Sequence, residues 1–208
     1  MKKLLLLSIC FLSVFSSSHA QDKSGESRKW SFSLQPRLGF AKYEETGSVT
    51  TNGTLNGFDV LISRKISKSF DLTSGFSFTT FDANRTAFGQ TVRLQNDYLQ
   101  IPLLVGGDIS FDEENAKSPI SMHVALGPSA NFLMRQFTET TGGHIEDENV
   151  GWNFGFMTQI SVDFRISNRA ALYLGLQGQS DFSRIENDES ENKIQQASSI
   201  LFGYRGIF

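Results

Sequence analysis

The groups in this 208-residue chain that could do chemistry are His19, His123 and His144, the single cysteine Cys10, and a scatter of acids and arginines. His123 sits in an alternating apolar segment, and no Ser or acid motif beside it would make it the base of a nucleophilic constellation. It reads as a packed, hydrogen-bonded interior imidazole. His144, with Glu146, Asp147 and Glu148, could join a weak cation site, but the run lacks the ligand spacing of a cation-binding loop. It reads as a solvated acidic loop. No recognised metal spacing appears, so no catalytic, cofactor-binding or metal-ligating residue is expected, and no cofactor. What remains is a set of charges inside alternating segments: Arg37, Asp59, Asp71, Asp163 and Arg205. A charge away from water must be paired, so these are read as mutually paired charges facing an enclosed interior. Arg37 and Arg205 are expected to be neighbours across a seam where the last strand meets the first.

The elements that would position such charges are strands. The chain has a formal net charge of −3 and no basic patch, which argues against a nucleic-acid partner. Residues 1–20 carry Lys2 and Lys3, an apolar run from Leu4 to Phe15, and Ser18-His19-Ala20, the pattern of a cleaved secretory signal. Cys10 lies in that leader, and the residue before it, Ile9, is not the small residue of a lipoprotein signal. The mature chain is therefore expected to have no thiol chemistry. Residues 21–29 read as a flexible mature terminus, and 30–208 as one domain. No later stretch approaches the roughly 20 apolar residues of a spanning helix.

From Trp30 the chain alternates. Trp30, Phe32, Leu34, Leu38 and Phe40 share one face, with Pro36 on that face suggesting a bulge. Phe58, Val60 and Ile62 mark a second strand, and Phe70, Leu72, Phe76 and Phe78 a third. The fourth, about 91 to 109, changes phase. Val92, Leu94 and Tyr98 are even, whereas Leu99, Ile101, Leu103 and Val105 are odd, as one inserted residue near Tyr98 would produce. Ile120 to Met134 is a fifth strand, and Val150 to Phe164, with Trp152, Phe154 and Phe156, a sixth. Ala170 to Leu176 is the seventh. The eighth runs from Ser198 to Phe208, with Ile200, Phe202, Tyr204 and Phe208 on its apolar side. Loops are expected at 43–53, 81–90, 135–149 and 184–193, and shorter connections between them.

Eight strands with alternating long and short connections predict an all-β, eight-stranded antiparallel up-and-down transmembrane β-barrel. A secreted soluble barrel would alternate equally well, but its polar face should be rich in long charged side chains. Here that face is mainly Gly, Ser, Thr, Gln and Asn, which suits the crowded interior of a small barrel. Trp30, Tyr98, Trp152 and Tyr204 are expected near strand ends or the rim, as interfacial aromatics.

The closing strand, with Phe202, Tyr204 and the terminal Phe208, resembles the assembly signal of bacterial outer-membrane barrels. Tyr98-Leu99-Gln100-Ile101-Pro102-Leu103-Leu104, with Leu126-Gly127-Pro128, resembles the signature of the PorT-like, porin-like small outer-membrane proteins of Bacteroidota. The resemblance implies residence in the outer membrane, contact with its lipid and with the barrel-assembly machinery, and envelope protein partners met through the outer loops. In that family the position of Gln100 is often acidic. The expected role is non-enzymatic: an anchor, surface-contact or secretion-associated envelope component. The alternatives are a narrow channel or small-solute binder using the interior Arg and Asp residues, and a lipid-modifying barrel enzyme, for which no His and Ser pair with a convincing acid is apparent.

Overall fold

The computed structural model describes residues 30–45, 50–67, 70–87, 90–110, 119–167, 169–187 and 190–208. The expected leader and flexible terminus, residues 1–29, lie outside the described residues. Nine strands follow in order: β1 (Trp30–Glu45), β2 (Thr51–Lys65), β3 (Phe70–Ala87), β4 (Gln90–Ser110), β5 (Ile120–Thr140), β6 (Gly143–Ser167), β7 (Ala170–Asp181), β8 (Ile185–Asn187) and β9 (Ser190–Ile207). Every pairing is antiparallel between neighbours, and β1 pairs with β9 to close the ring. Eight long strands form the wall, and the three-residue β8 continues the line of β7 beside β9. Closure is carried to its limit by reciprocal hydrogen bonds of 2.9 Å between the backbones of Trp30 and Phe208. Among the described strands no long edge of the ring is left unpaired where the wall is apolar, which is the condition for a sheet in lipid.

The apolar face points outward. Leu38, Phe40, Phe76, Phe154, Leu176, Ile200 and Phe202 are all more than half exposed, and Phe208 is 72% exposed. A water-soluble barrel would turn these side chains in, and a continuous apolar exterior of this extent is a surface for a nonpolar medium. The inward positions are small or polar where the wall is apolar: Ser33, Gln35, Arg37, Asp59, Ser77, Gln100, Ser129, Asn131 and Ser161 are all buried. Gly203 is one reason the interior closes. A Cβ there would run into the Tyr173 ring, which lies over Gly203 and reaches Gln35 of β1.

Four expectations from the sequence are corrected. The segments read as loops at 43–53, 81–90, 135–149 and 184–193 are mostly strand, because the wall continues past its apolar belt with polar outward residues that carry no alternation signal. Pro36 sits in unbroken register between Phe58 and its neighbours, so it marks no bulge. β4 contains no inserted residue against β3; its even residues point inward along its length, from Val92 to Gly106. The register slips between Asp97 and Tyr98 only against β5, where Met134 is the extra residue, since Asp97 faces Arg135 and Tyr98 faces Leu133. Finally, Tyr98 is not at an interface with the surroundings. It is 1% exposed, inside the bore.

Candidate functional site: the bore and its crown

Two inner regions are stacked along the barrel. The middle of the bore is a polar network. Arg37, 1% exposed, donates from Nη2 to Gln100 Oε1 at 2.5 Å and to Ser77 Oγ at 2.8 Å, and its Nε lies 3.5 Å from Asp59 Oδ1. Asp59 also accepts from Gln35 Nε2 at 2.5 Å and from the Ser77 hydroxyl. Gln35 in turn accepts from the Tyr173 hydroxyl at 2.8 Å and from Gln159 Nε2 at 3.3 Å. Four strands thus meet on one arginine and one aspartate, and Gln35 ties in two more. The alternation places these residues inward, and the ring brings β1 next to β2 and within reach of β3, β4, β6 and β7. A buried guanidinium can be tolerated only where acceptors converge like this.

Nearer the end where β1 begins and β9 finishes, Arg205 Nη1 donates to Asp163 Oδ2 at 2.6 Å, and its guanidinium lies over the Tyr173 ring. His123 Nε2 is 3.0 Å from Asp71 Oδ2. The five charges singled out in the sequence are therefore all inward, but in separate groups. Arg37 pairs with Asp59, Arg205 with Asp163, and Asp71 with His123. Arg37 and Arg205 are on adjacent strands as expected, though not opposed: Arg37 faces Leu201 and Arg205 faces Ser33.

At the opposite end the bore becomes apolar. Tyr43, Leu55, Phe81, Leu94, Tyr98, Leu133, Ile185 and Ile194 form one buried cluster, with Val150 packed against it. Val150 was expected on the same face as Trp152, yet it packs inward while Trp152 is exposed. The cause is a slip between β5 and β6, where Leu133 faces Gly151 and Arg135 faces Glu148. A third irregularity, in β9 against β1, leaves Gln195 as the extra residue, since Lys42 faces Gln196 and Tyr43 faces Ile194. Such extra residues re-aim the side chains beyond them. Here they lie at the level where the interior changes from polar to apolar.

Outside the apolar cluster the wall carries ion pairs: Arg135 to Asp97 at 2.5 Å, Arg184 to Glu44 at 2.6 Å, Arg93 to Asp82 at 2.7 Å and Arg85 to Glu45 at 2.9 Å. Above the belt, the hydrogen bond from Arg184 holds the Glu44 carboxyl below the usual carboxylate range, helped by the nearby charge of Lys193. His144 is exposed there and stacks on Phe137. Sequence reasoning missed Gln35, Gln100 and Tyr173 as members of the central network. Their signal was faint: neutral residues on the inward phase look like any other small polar filling.

The bore is thus occupied at two levels, by Arg37 and its partners in the middle and by the apolar cluster above them. No protein family matches the chain, and no curated relative does. The fold matches solved structures. The outer membrane protein OprG from Pseudomonas aeruginosa has a TM-score of 0.51 at 7% identity, covering 88% of this chain and 97% of that one. Neisserial surface protein A gives a TM-score of 0.49 at 14% identity, covering 84% and 96%. Ail, the attachment invasion locus protein of Yersinia pestis, gives 0.45 at 11% identity, covering 88% and 100%. The likeness to OprG is one of fold: a small outer-membrane β-barrel architecture.

Proposed function

We propose that this chain is a non-enzymatic outer-membrane barrel protein that works through its crown, as an anchor or surface-contact component of the envelope, and that it belongs with the PorT-like, porin-like barrels. The observation that carries this reading is the pairing of an apolar exterior with a bore closed twice, by the Arg37 network and by the plug around Phe81. A wall that exposes phenylalanine and leucine to its surroundings is stable only in lipid. With the bore occupied by side chains at these two levels, the strand extension beyond the belt is the surface offered to partners. About 9–11 residues suffice to cross a bilayer as a strand. β5 has 21 residues and β6 has 25, so a substantial part of each stands clear.

At Gln100 the chain departs from the pattern of that family. Where related barrels often carry an acid, Gln100 Oε1 accepts from Arg37, so the amide keeps the acceptor role without the charge, and Asp59 remains the counter-ion. In this reading the end of the barrel where β2 finishes and β7 begins faces the periplasm, the crown faces out, the closing strand with Phe202, Tyr204 and Phe208 is what the assembly machinery engages, and residues 1–20 are removed on export.

The test is single-cysteine labelling on intact cells with a membrane-impermeant maleimide, since Cys10 lies in the leader. Ile145→Cys, in the exposed part of β6, is expected to label, and Ser167→Cys is expected to label only after the envelope is broken. The reverse pattern, or labelling of both in a soluble fraction, would overturn the orientation or the membrane location.

A further inference from the structure

The geometry points to a divalent-cation site at the terminal end of the bore, held by Asp71 of β3, Asp108 of β4 and His123 of β5. One potential ligand atom from each lies within 4.8 Å of the others. The register makes the cluster. Asp71 is opposite Gly106 across β3 and β4, and Asp108 is opposite His123 across β4 and β5, so all three project inward from neighbouring strands.

Three features favour a cation there over a purely structural contact. Asp71 is 5% exposed, yet among the described residues its only ion-pair partner is an imidazole, whereas the other buried bore acids in ion pairs, Asp59 and Asp163, each face an arginine. Thr73 Oγ1 donates to Asp71 at 3.2 Å and the Arg205 charge reaches it from beyond ion-pair distance, but a buried carboxylate whose close positive partner is an imidazole still gains from a bound cation. His123 is equally buried, and while its Nε2 contacts Asp71, its Nδ1 has no hydrogen-bond partner among the described residues. Gly106 makes room for the imidazole itself: a Cβ there would lie 2.7 Å from His123 Nε2.

Donor chemistry narrows the ion. One imidazole nitrogen with two carboxylate oxygens is a set that zinc and similar first-row divalent ions accept. Ligand atoms around tetrahedral zinc are about 3.4 Å apart at bond lengths of about 2.1 Å, so the cluster must tighten. Asp108 can supply that movement, being at the exposed mouth, where its carboxylate now takes Lys65 Nζ at 2.9 Å. Lys65 is thus a competitor, occupying the most mobile ligand with its own charge. The site is at the other end of the barrel from the crown and stands independently of the surface-contact reading.

The experiment is calorimetric titration of Zn²⁺ into the full mature barrel in detergent micelles, each variant first shown to keep its heat-dependent electrophoretic shift. The native protein is expected to bind one equivalent. Asp108→Asn, at an exposed position, is expected to weaken binding by more than the roughly 10- to 100-fold typical of a residue that only supports a metal ligand. Lys65→Met is expected to tighten it severalfold, an effect a structural ion pair would not give. His144→Ala, in the crown, is expected to leave it unchanged. Absence of stoichiometric binding would overturn the site, and so would binding that survives Asp108→Asn, is lost with His144→Ala, or does not tighten with Lys65→Met.

Discussion

The polar middle of the bore and the apolar plug above it are made by the same strands, a few residues apart, yet they are held together by different physics. In the middle, Arg37 and Asp59 are a buried charge pair kept by directional hydrogen bonds among β1, β2, β3 and β4. In the plug, Tyr43, stacked at 5.4 Å on Phe81, and the leucines around them are kept by burial, as in an ordinary core. The difference follows from what lies outside the wall. Where the exterior must be apolar, the alternation leaves the polar residues to face in, and they have to satisfy one another. Where the exterior is polar, the alternation reverses its meaning and the apolar residues face in.

The largest way to break that contrast is at its most buried charge. Arg37→Met leaves Asp59 buried without its cation and is expected to cost about 3–5 kcal/mol. Urea unfolding in micelles would measure it, and a loss below about 1 kcal/mol, the scale of a surface pair, would mean the network does not hold the middle. In the plug, Phe81→Ala is expected to cost about 3–5 kcal/mol through a cavity. Unlike Arg37→Met, it should leave the insertion of the barrel into lipid intact. Outside, Phe154→Arg places a charge on the apolar belt and is expected to cost about 2–4 kcal/mol near the belt's centre and less near its rim, read from the same unfolding curves.

The smallest effect belongs to the crown pairs. Glu44→Gln is expected to lower stability slightly at neutral pH. Because the Glu44 carboxyl titrates lower in the folded barrel than in the unfolded chain, its contribution is complete above the ordinary carboxylate range and is lost as pH falls through the folded value. The variant and the native chain should therefore converge in acid. A difference that grows on acidification would contradict the Arg184 contact.

The same contrast explains what could be read in the sequence. The ring and its closure were legible, because eight alternating segments and the apolar line of Ile200, Phe202 and Tyr204 carry them directly. The phase change in β4 was legible too, but its cause was not. Val92, Leu94 and Tyr98 are apolar because they face the plug, and Leu99, Ile101 and Leu103 because they face outward, so one regular strand mimics a strand with an inserted residue. Hydrophobicity reports distance from water and not which face achieves it. The extra residue, Met134, is on the partner strand, where Phe132 and Met134 simply continue an even pattern. The charges were legible as a set, since Arg and Asp inside alternating segments need partners. Their pairing was not, because it depends on which strands lie opposite across the bore. Asp71, Asp108 and His123 illustrate this most sharply: no spacing along the chain unites residues that only the register brings together.

The most direct measurement is conductance across a planar bilayer containing the purified barrel, with insertion confirmed by its heat-dependent shift in electrophoretic mobility. A bore filled at Arg37 and capped at Phe81 predicts inserted protein with no discrete conductance steps. Steady, reproducible single-channel openings from the native chain would show that an ion path runs through the barrel, and would contradict both the sealed bore and the crown as its working surface.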